Sequence, residues 1–214
     1  MWGDEIQQRA FGKIWPLWNG SSEIRNRRQA VQRLRLLADE GYAPAQFVLA
    51  WAYFTNDGVR RDDAQAFHYF QLSAAQHFPA AEGMLGAFYA MVKPKQNVCP
   101  HDPVMAVHWY RRGAGAGNAG AQYNLASAYR TGSGVEKSDF EAYLWASLAV
   151  HCTTLPRDRM AEVIRDEAVT RLTPEQKAAA DERIAALSRD LPHHWSEPTQ
   201  YWKILAADAG ALET

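Results

Sequence analysis

The stretch Ala106–Val135, AVHWYRRGAGAGNAGAQYNLASAYRTGSGV, decides the fold because its skeleton is written twice. Stepping back 76 residues from Ala114, Gly117, Ala121, Gln122, Leu125 and Tyr129 reaches Ala38, Gly41, Ala45, Gln46, Leu49 and Tyr53, identical at all six positions. A middle copy runs through Ala74, His77, Ala81, Glu82, Leu85 and Tyr89, so the steps are 36 and 40 residues and one loop carries a four-residue insertion. Eight residues before each anchor alanine stands another, at Ala30, Ala66 and Ala106, and Ala142 opens a fourth copy with Val150 in the anchor place. Self-similarity at a period of roughly 20 to 50 residues marks a stack of small supersecondary units.

Each copy reads as two helices. The second opens near Pro44, Pro79 or Ala119, where a proline costs nothing because the first helical N–H has no partner anyway. It ends before Gly58 or Gly134, residues free to take a left-handed φ. The first helix of the third copy starts at Asp102-Pro103, a capping carboxylate followed by proline. That of the fourth starts at Ser138-Asp139-Phe140-Glu141, which reads as a capping box. Ala106, Trp109, Tyr110 and Gly113 recur at offsets 0, 3, 4 and 7, one face of a helix and therefore the packing face.

Composition agrees. The chain has 214 residues, of which 36 are alanine, with 47% hydrophobic and 22% charged residues and a net charge of -1. That is ample for a buried core and rich in the best helix former. A near-neutral chain has no general affinity for nucleic acid or anionic membrane, both of which need a basic surplus. No apolar run approaches the roughly 20 residues that span a bilayer, and Met1-Trp2-Gly3-Asp4-Glu5 does not read as a secretion signal. The expectation is a cytoplasmic protein, unless a leader has been removed, with its two cysteines, Cys99 and Cys152, reduced.

These residues resemble the Sel-one-like repeats, relatives of the tetratricopeptide repeat. The family's pattern is carried by Ala106, Trp109-Tyr110, Ala114, Gly117, Ala121-Gln122, Leu125, Tyr129 and Gly132-Ser133-Gly134-Val135, and the first copy adds Gly58-Val59 and Asp62. The resemblance implies an all-α, right-handed solenoid of three to four helix-turn-helix repeats with degenerate capping helices at both ends. Clear repeats cover residues 30–150. Gly12-Lys13-Ile14-Trp15 with Gly20 looks like a worn preceding helix, and the stretch 156–190, broken by a capping box at Thr173 and Gln176, is similar to closing helices. Residues 1–190 form the solenoid. Residues 191–214 form a linker and a short amphipathic segment from Trp195 to Gly210, which either folds back as a cap or docks a partner. The middle copy departs from the pattern, replacing Gly-Val by the proline-rich stretch 93–102, either a binding loop or a tolerated insertion. The cysteine-rich branch of the family pairs cysteines within each repeat, a spacing not present here.

Candidates for chemistry are few. Cys99-Pro100-His101-Asp102 lacks the second half of a zinc site, His151-Cys152 places adjacent side chains on different sides of a helix end, and His193-His194 lies in a proline-flanked linker. Gly113-Ala114-Gly115-Ala116-Gly117 mimics a phosphate loop but falls at the turn between two repeat helices, where Gly117 is wanted for its left-handed conformation. Trp51, Trp109 and Trp145 fall at or beside packing positions. No metal, disulfide or cofactor is expected, and the chain is not expected to be an enzyme.

What remains is the helix face opposite the packing stripe. At 100° per residue, Val104, His108 and Arg111 share it, and their equivalents form three ladders: Arg28, Ala64, Val104, Phe140; then Gln32, His68, His108, Leu144; then Arg35, Gln71, Arg111, Ser147. In repeat folds of this kind the first helices line the concave surface. Arg28, Gln32, Arg35, His68, Gln71, Val104, His108, Arg111, Phe140 and Leu144 are accordingly the expected partner-binding residues. Arg25, Arg27, Arg28, Arg33 and Arg35 crowd into one helix without an acid among them, so the expected partner is a protein with an acidic or extended segment. The plain alternative is a solvated charged face. The resemblance implies an adaptor or scaffold, or, as in some bacterial members, an immunity protein that neutralises a toxin. A different class, a metal-dependent regulator or enzyme using His68 and His108, would rest on two imidazoles without a nearby carboxylate.

Overall fold

The computed structural model describes residues 3–19, 24–91, 98–152 and 159–190. Among them the chain forms helices and no strand: α1 (Glu5–Asn19), α2 (Ile24–Asp39), α3 (Ala43–Thr55), α4 (Asp63–Ala75), α5 (Pro79–Ala90), α6 (Pro103–Gly115), α7 (Ala119–Thr131), α8 (Asp139–Cys152), α9 (Arg159–Val169) and α10 (Pro174–Asp190). Every helix from α1 to α9 packs on its neighbour in the chain, the mark of a one-dimensional stack. α10 breaks the rule and lies against α8.

The repeated residues recur in repeated contacts. Each copy turns between its helices through one left-handed residue: Gly41 at φ 87°, His77 at 60° and Gly117 at 89°. In the first and third copies the glutamine opening the second helix donates back across the turn, Gln46 Nε2 to the Ala38 carbonyl at 3.1 Å and Gln122 Nε2 to the Ala114 carbonyl at 3.2 Å. The loop to the next copy closes the same way three times: Asp62 N–H on Tyr53 O, Asp102 N–H on Tyr89 O, and Ser138 N–H on Tyr129 O. The first and third of these span nine residues and the second thirteen, so the four inserted residues are swallowed between two fixed points. Cys99 in that insertion is a buried free thiol packed into the core, its pKa raised by desolvation. Residues 93–97 of the inserted stretch lie outside the described residues, as do the side chain of Cys152 and all of 191–214, with His193, His194, Trp195 and Trp202.

Leu49, Leu85 and Leu125, equivalent by sequence, are equivalent in burial, each at or below 1% exposed. Gly134 shows why the third copy keeps its terminal glycine. It sits at φ 73°, and a Cβ there would overlap the Pro103 carbonyl at the start of α6. The helix starts follow the capping pattern with one difference. Asp62 and Asp102 each accept two backbone N–H groups of the helix they open, and Thr173 with Gln176 closes a reciprocal box. At α8 only half of the expected box forms. Ser138 Oγ accepts from the Glu141 N–H at 3.2 Å, but the Glu141 carboxylate turns away to Trp145 Nε1 and Arg183. An ion pair and an indole out of reach of Ser138 win the side chain. Trp51, Trp109 and Trp145 are half-buried at the edges of the core.

Candidate functional site

The packing stripe of each first helix is buried as its spacing requires: Ala30, Ala66, Ala106 and Ala142 are all at or below 2% exposed. The opposite face of α2, α4 and α6 is therefore open. Arg28, Gln32, Arg35, Ala64, His68, Gln71, Val104, His108 and Arg111 are all exposed.

Two of the arginines are oriented by tyrosines eighteen residues further on, in the second helix of the same copy. Arg35 Nη2 donates to Tyr53 Oη at 2.7 Å, and Arg111 Nη2 donates to Tyr129 Oη at 3.1 Å with its guanidinium 5.8 Å from the ring centroid. In the middle copy Gln71 and Tyr89 hold the corresponding places. One donor of each guanidinium is thus spent on a neutral oxygen. No carboxylate among the described residues lies within ion-pair distance of Arg28, Arg33, Arg35 or Arg111, whereas Arg27, Arg61 and Arg112 each meet one, Asp57, Asp63 and Glu82. The histidines take equivalent poses, His68 edge-on to Tyr69 and His108 edge-on to Trp109, both with ring centroids 5.4 Å apart. Tyr69 in turn stacks on Tyr53 at 6.2 Å and donates to Asp39. Its hydroxyl pKa is raised by burial and by Asp39, which keeps it a donor.

The fourth copy differs from the expectation. Leu144 is 0% exposed and Phe140 half-buried, because α10 lies against α8: Ile184 and Leu187 of α10 join Phe140 and Trp145 in packing on Leu144 and Leu148. Leu144 is thus core, and the open face ends with α6. Leucine at a ladder position that elsewhere holds Gln32, His68 and His108 was the signal for that cover.

Sequence reasoning also passed over the contacts that tie copies together. Gln76 Nε2 donates to Gln46 Oε1 at 2.9 Å, and Arg112 Nε donates to Glu82 at 3.0 Å. Both pairs are thirty residues apart, and that common spacing was legible. A cleft of about 570 Å3 lies elsewhere, among Tyr129, Arg130, Asp139, Glu167 and Arg171. Its two arginines, Arg130 and Arg171, are already paired with Glu167 and Asp139, which leaves Lys137 as its other lining cation. No group of three or more metal-ligating side chains occurs among the described residues, so His68 and His108 have no third donor to complete a site. No helix among the described residues is long and apolar enough to cross a membrane.

The Sel1 repeat family model matches residues 43–78, 79–118 and 119–151. Among solved structures the chain is similar to a Sel1 repeat protein from Oxalobacter formigenes, at 30% identity over 63% of this chain and 96% of that one, with a TM-score of 0.52. It is also similar to a protective antigen of uropathogenic Escherichia coli strains displaying an SLR fold, at 22% identity, 99% and 49% coverage and a TM-score of 0.47. This chain therefore spans about half the length of that antigen. An immunity protein from Pseudomonas aeruginosa matches at 16% identity over 95% of this chain and 83% of that one, with a TM-score of 0.38.

Proposed function

The chain belongs to the Sel1 repeat family, whose members are generally protein-interaction modules, and from that premise we propose that it is a noncatalytic adaptor gripping an acidic segment of a protein partner on the open first-helix face. The observation that supports this reading is the set of unspent arginines. Arg28, Arg35 and Arg111 are exposed, two of them are aimed by tyrosine hydroxyls, and all lack a carboxylate partner among the described residues. A guanidinium held in place loses less side-chain entropy when it closes a bidentate pair with a carboxylate. Guanidiniums left in water are available to steer such a partner, and steering of this kind weakens with salt.

The test is affinity capture from lysate with the full chain and with the Arg28→Ala, Arg35→Ala, Arg111→Ala variant, at low and high salt. A protein retained by the first at low salt, and lost with the variant or with salt, supports the reading. Capture that is equal for both chains, or insensitive to salt, refutes it. The immunity version differs only in the partner, which would then be a toxin.

A further inference from the structure

In the fourth copy the first-helix face is closed, and a helix closes it. α10 sets Ala180, Ile184 and Leu187, at offsets 0, 4 and 7, along α8, where Leu144 and Leu148 are fully buried. Polar bonds flank this apolar seam: Tyr143 Oη donates to Asp181 at 2.7 Å and Arg183 Nη1 donates to Glu141 at 2.8 Å. The α8 ridge 140, 144, 148 has counterparts on the uncovered helices. They read Arg28, Gln32, Leu36, then Ala64, His68, Leu72, then Val104, His108, Arg112. Each uncovered ridge leaves one large apolar side chain in water: Leu36 is 66% exposed, Leu72 38% and Val104 65%. Only six large hydrophobics are exposed among the described residues, and three of them fall on this one surface, which sets it apart from scattered surface leucines.

We infer that the open stretch over α2, α4 and α6 receives an amphipathic helix of a protein partner, packed as α10 packs on α8, with acidic side chains on either side of its apolar stripe. This rests on the reading of that face as the partner surface and adds the conformation and pattern of what binds there. Two arguments favour a helix over an extended chain. A helix satisfies its own backbone hydrogen bonds, so it asks of the surface only apolar contacts and flanking charges, and those are what Leu36, Leu72, Val104 and the arginines offer. An extended chain would need a row of side-chain amides or hydroxyls to meet its N–H and C=O groups, and the open face supplies only two glutamines, Gln32 and Gln71, on separate helices. The acidic flank follows from charge complementarity. The fourth copy has Ser147 where the first and third have Arg35 and Arg111, so α10 needs no acid there and a ligand of the open copies does.

The probes are three fluorescent peptides of about 18 residues, five helical turns. One carries leucines at α10's spacing with flanking glutamates and is locked helical by a hydrocarbon staple. The second has the same apolar and acidic residues with two central prolines, which forbid the helix. The third is stapled with lysine in place of glutamate. The full chain should bind the first at least tenfold more tightly than either other peptide, as read by fluorescence anisotropy. Leu72→Asp with Val104→Asp, and separately Arg35→Ala with Arg111→Ala, should each weaken it tenfold or more while leaving the circular dichroism spectrum unchanged. If the proline peptide binds as tightly and both variants weaken it, the helix inference falls and the face stands. If the stapled peptide binds but neither variant weakens it, the face itself is wrong. If no peptide binds up to about 1 mM, the weakest affinity worth the name at about -4 kcal/mol, the inference is overturned.

Discussion

Replacing Arg112 with alanine should destabilise the solenoid by an amount that shrinks on acidification, and the reason lies in one carboxylate. Glu82 stands where the first and third copies carry Gln46 and Gln122, and its side chain is only 4% exposed. Arg112 reaches it from α6 at 2.8 Å while stacking 4.9 Å from the Trp109 ring, and His77 Nδ1 lies 3.7 Å away. Burial lifts the Glu82 carboxyl above the usual carboxylate range, and the pull of Arg112 and His77 in the other direction does not cancel it. Removing one partner of a fully buried pair costs about 3 to 5 kcal/mol. Arg112 is a third exposed, so water shares the solvation of Glu82, and about 2 kcal/mol is the expected cost near neutral pH.

The sign on pH follows from linkage. A carboxyl whose folded pKa lies above its unfolded value contributes stability that is fully present below the unfolded pKa and is lost as pH rises through the folded one. Without Arg112 the folded pKa of Glu82 rises further, so the range over which acid helps widens. Urea unfolding near pH 7.5 and near pH 5 should show a smaller deficit for Arg112→Ala at the lower pH. The control is Glu82→Gln with Arg112→Gln, which rewrites this contact as the Gln46–Gln76 pair of the first copy and restores a donor to the Ala74 carbonyl. That chain should lie within about 1 kcal/mol of the parent at both pH values. A deficit in Arg112→Ala that ignores pH, or a double variant as unstable as the single, would refute the account.

Three further outcomes are expected. Leu125→Ala removes a side chain that is 0% exposed and should cost about 2 to 5 kcal/mol in urea unfolding; an unchanged midpoint would show the repeat register to be wrong. His77→Gly relieves a left-handed φ of 60° but also removes the ring that meets Arg112 at 2.8 Å, so the two effects oppose and the urea midpoint should move by less than about 1 kcal/mol; a larger loss would show that the ring's contact outweighs the backbone cost. Gly134→Ala adds both a positive-φ penalty and an overlap with the α6 backbone, so it should cost more than about 1 kcal/mol, whereas Gly115→Ala, with open space around its Cβ, should not destabilise.

The fold was legible because a solenoid writes its contacts at a fixed period. Ala38, Gly41, Gln46 and Leu49 announce a turn, a clasp and a core position, and all four recur in the third copy as Ala114, Gly117, Gln122 and Leu125. The helix starts at Asp102 and Thr173 were legible for a local reason, since a cap is a contact over three residues. The limit of the open face was harder to see. Leu144 sits on a polar ladder, and a period-based reading carries the neighbours' exposure onto it. Its burial depends on α10, which is outside the repeat and returns across α8 instead of stacking on α9. Long-range contacts outside the period leave only an indirect trace, here a leucine among glutamine and histidines. The aim of Arg35 and Arg111 at Tyr53 and Tyr129 is different again. Both partners were in the repeated pattern, but only geometry shows that the eighteen-residue spacing brings the two helices' side chains together.

The middle copy's departures make sense as one event rather than three. It has histidine where its neighbours have a turn glycine and glutamate where they have a clasping glutamine, and that glutamate meets Arg112 of the third copy where Gln46 of the first copy meets Gln76 of the middle one. Taken alone each change is unfavourable: a histidine at positive φ, a carboxylate that is buried, and a guanidinium drawn from water. In the structure His77, Glu82 and Arg112 are one contact, with Arg112 Nη2 2.8 Å from His77 Nδ1 and 2.8 Å from Glu82 Oε1. The amide pair of the first copy has become an ion pair, and the left-handed position has acquired a side chain that reaches it. This trade replaces a contact indifferent to pH by one that senses it, at the joint between α5 and α6. The insertion that follows α5 buries Cys99 in the same core. The joint between the second and third copies is thus the place where the repeat is least like itself, and where a carboxyl lifted by burial makes the contact between copies depend on pH.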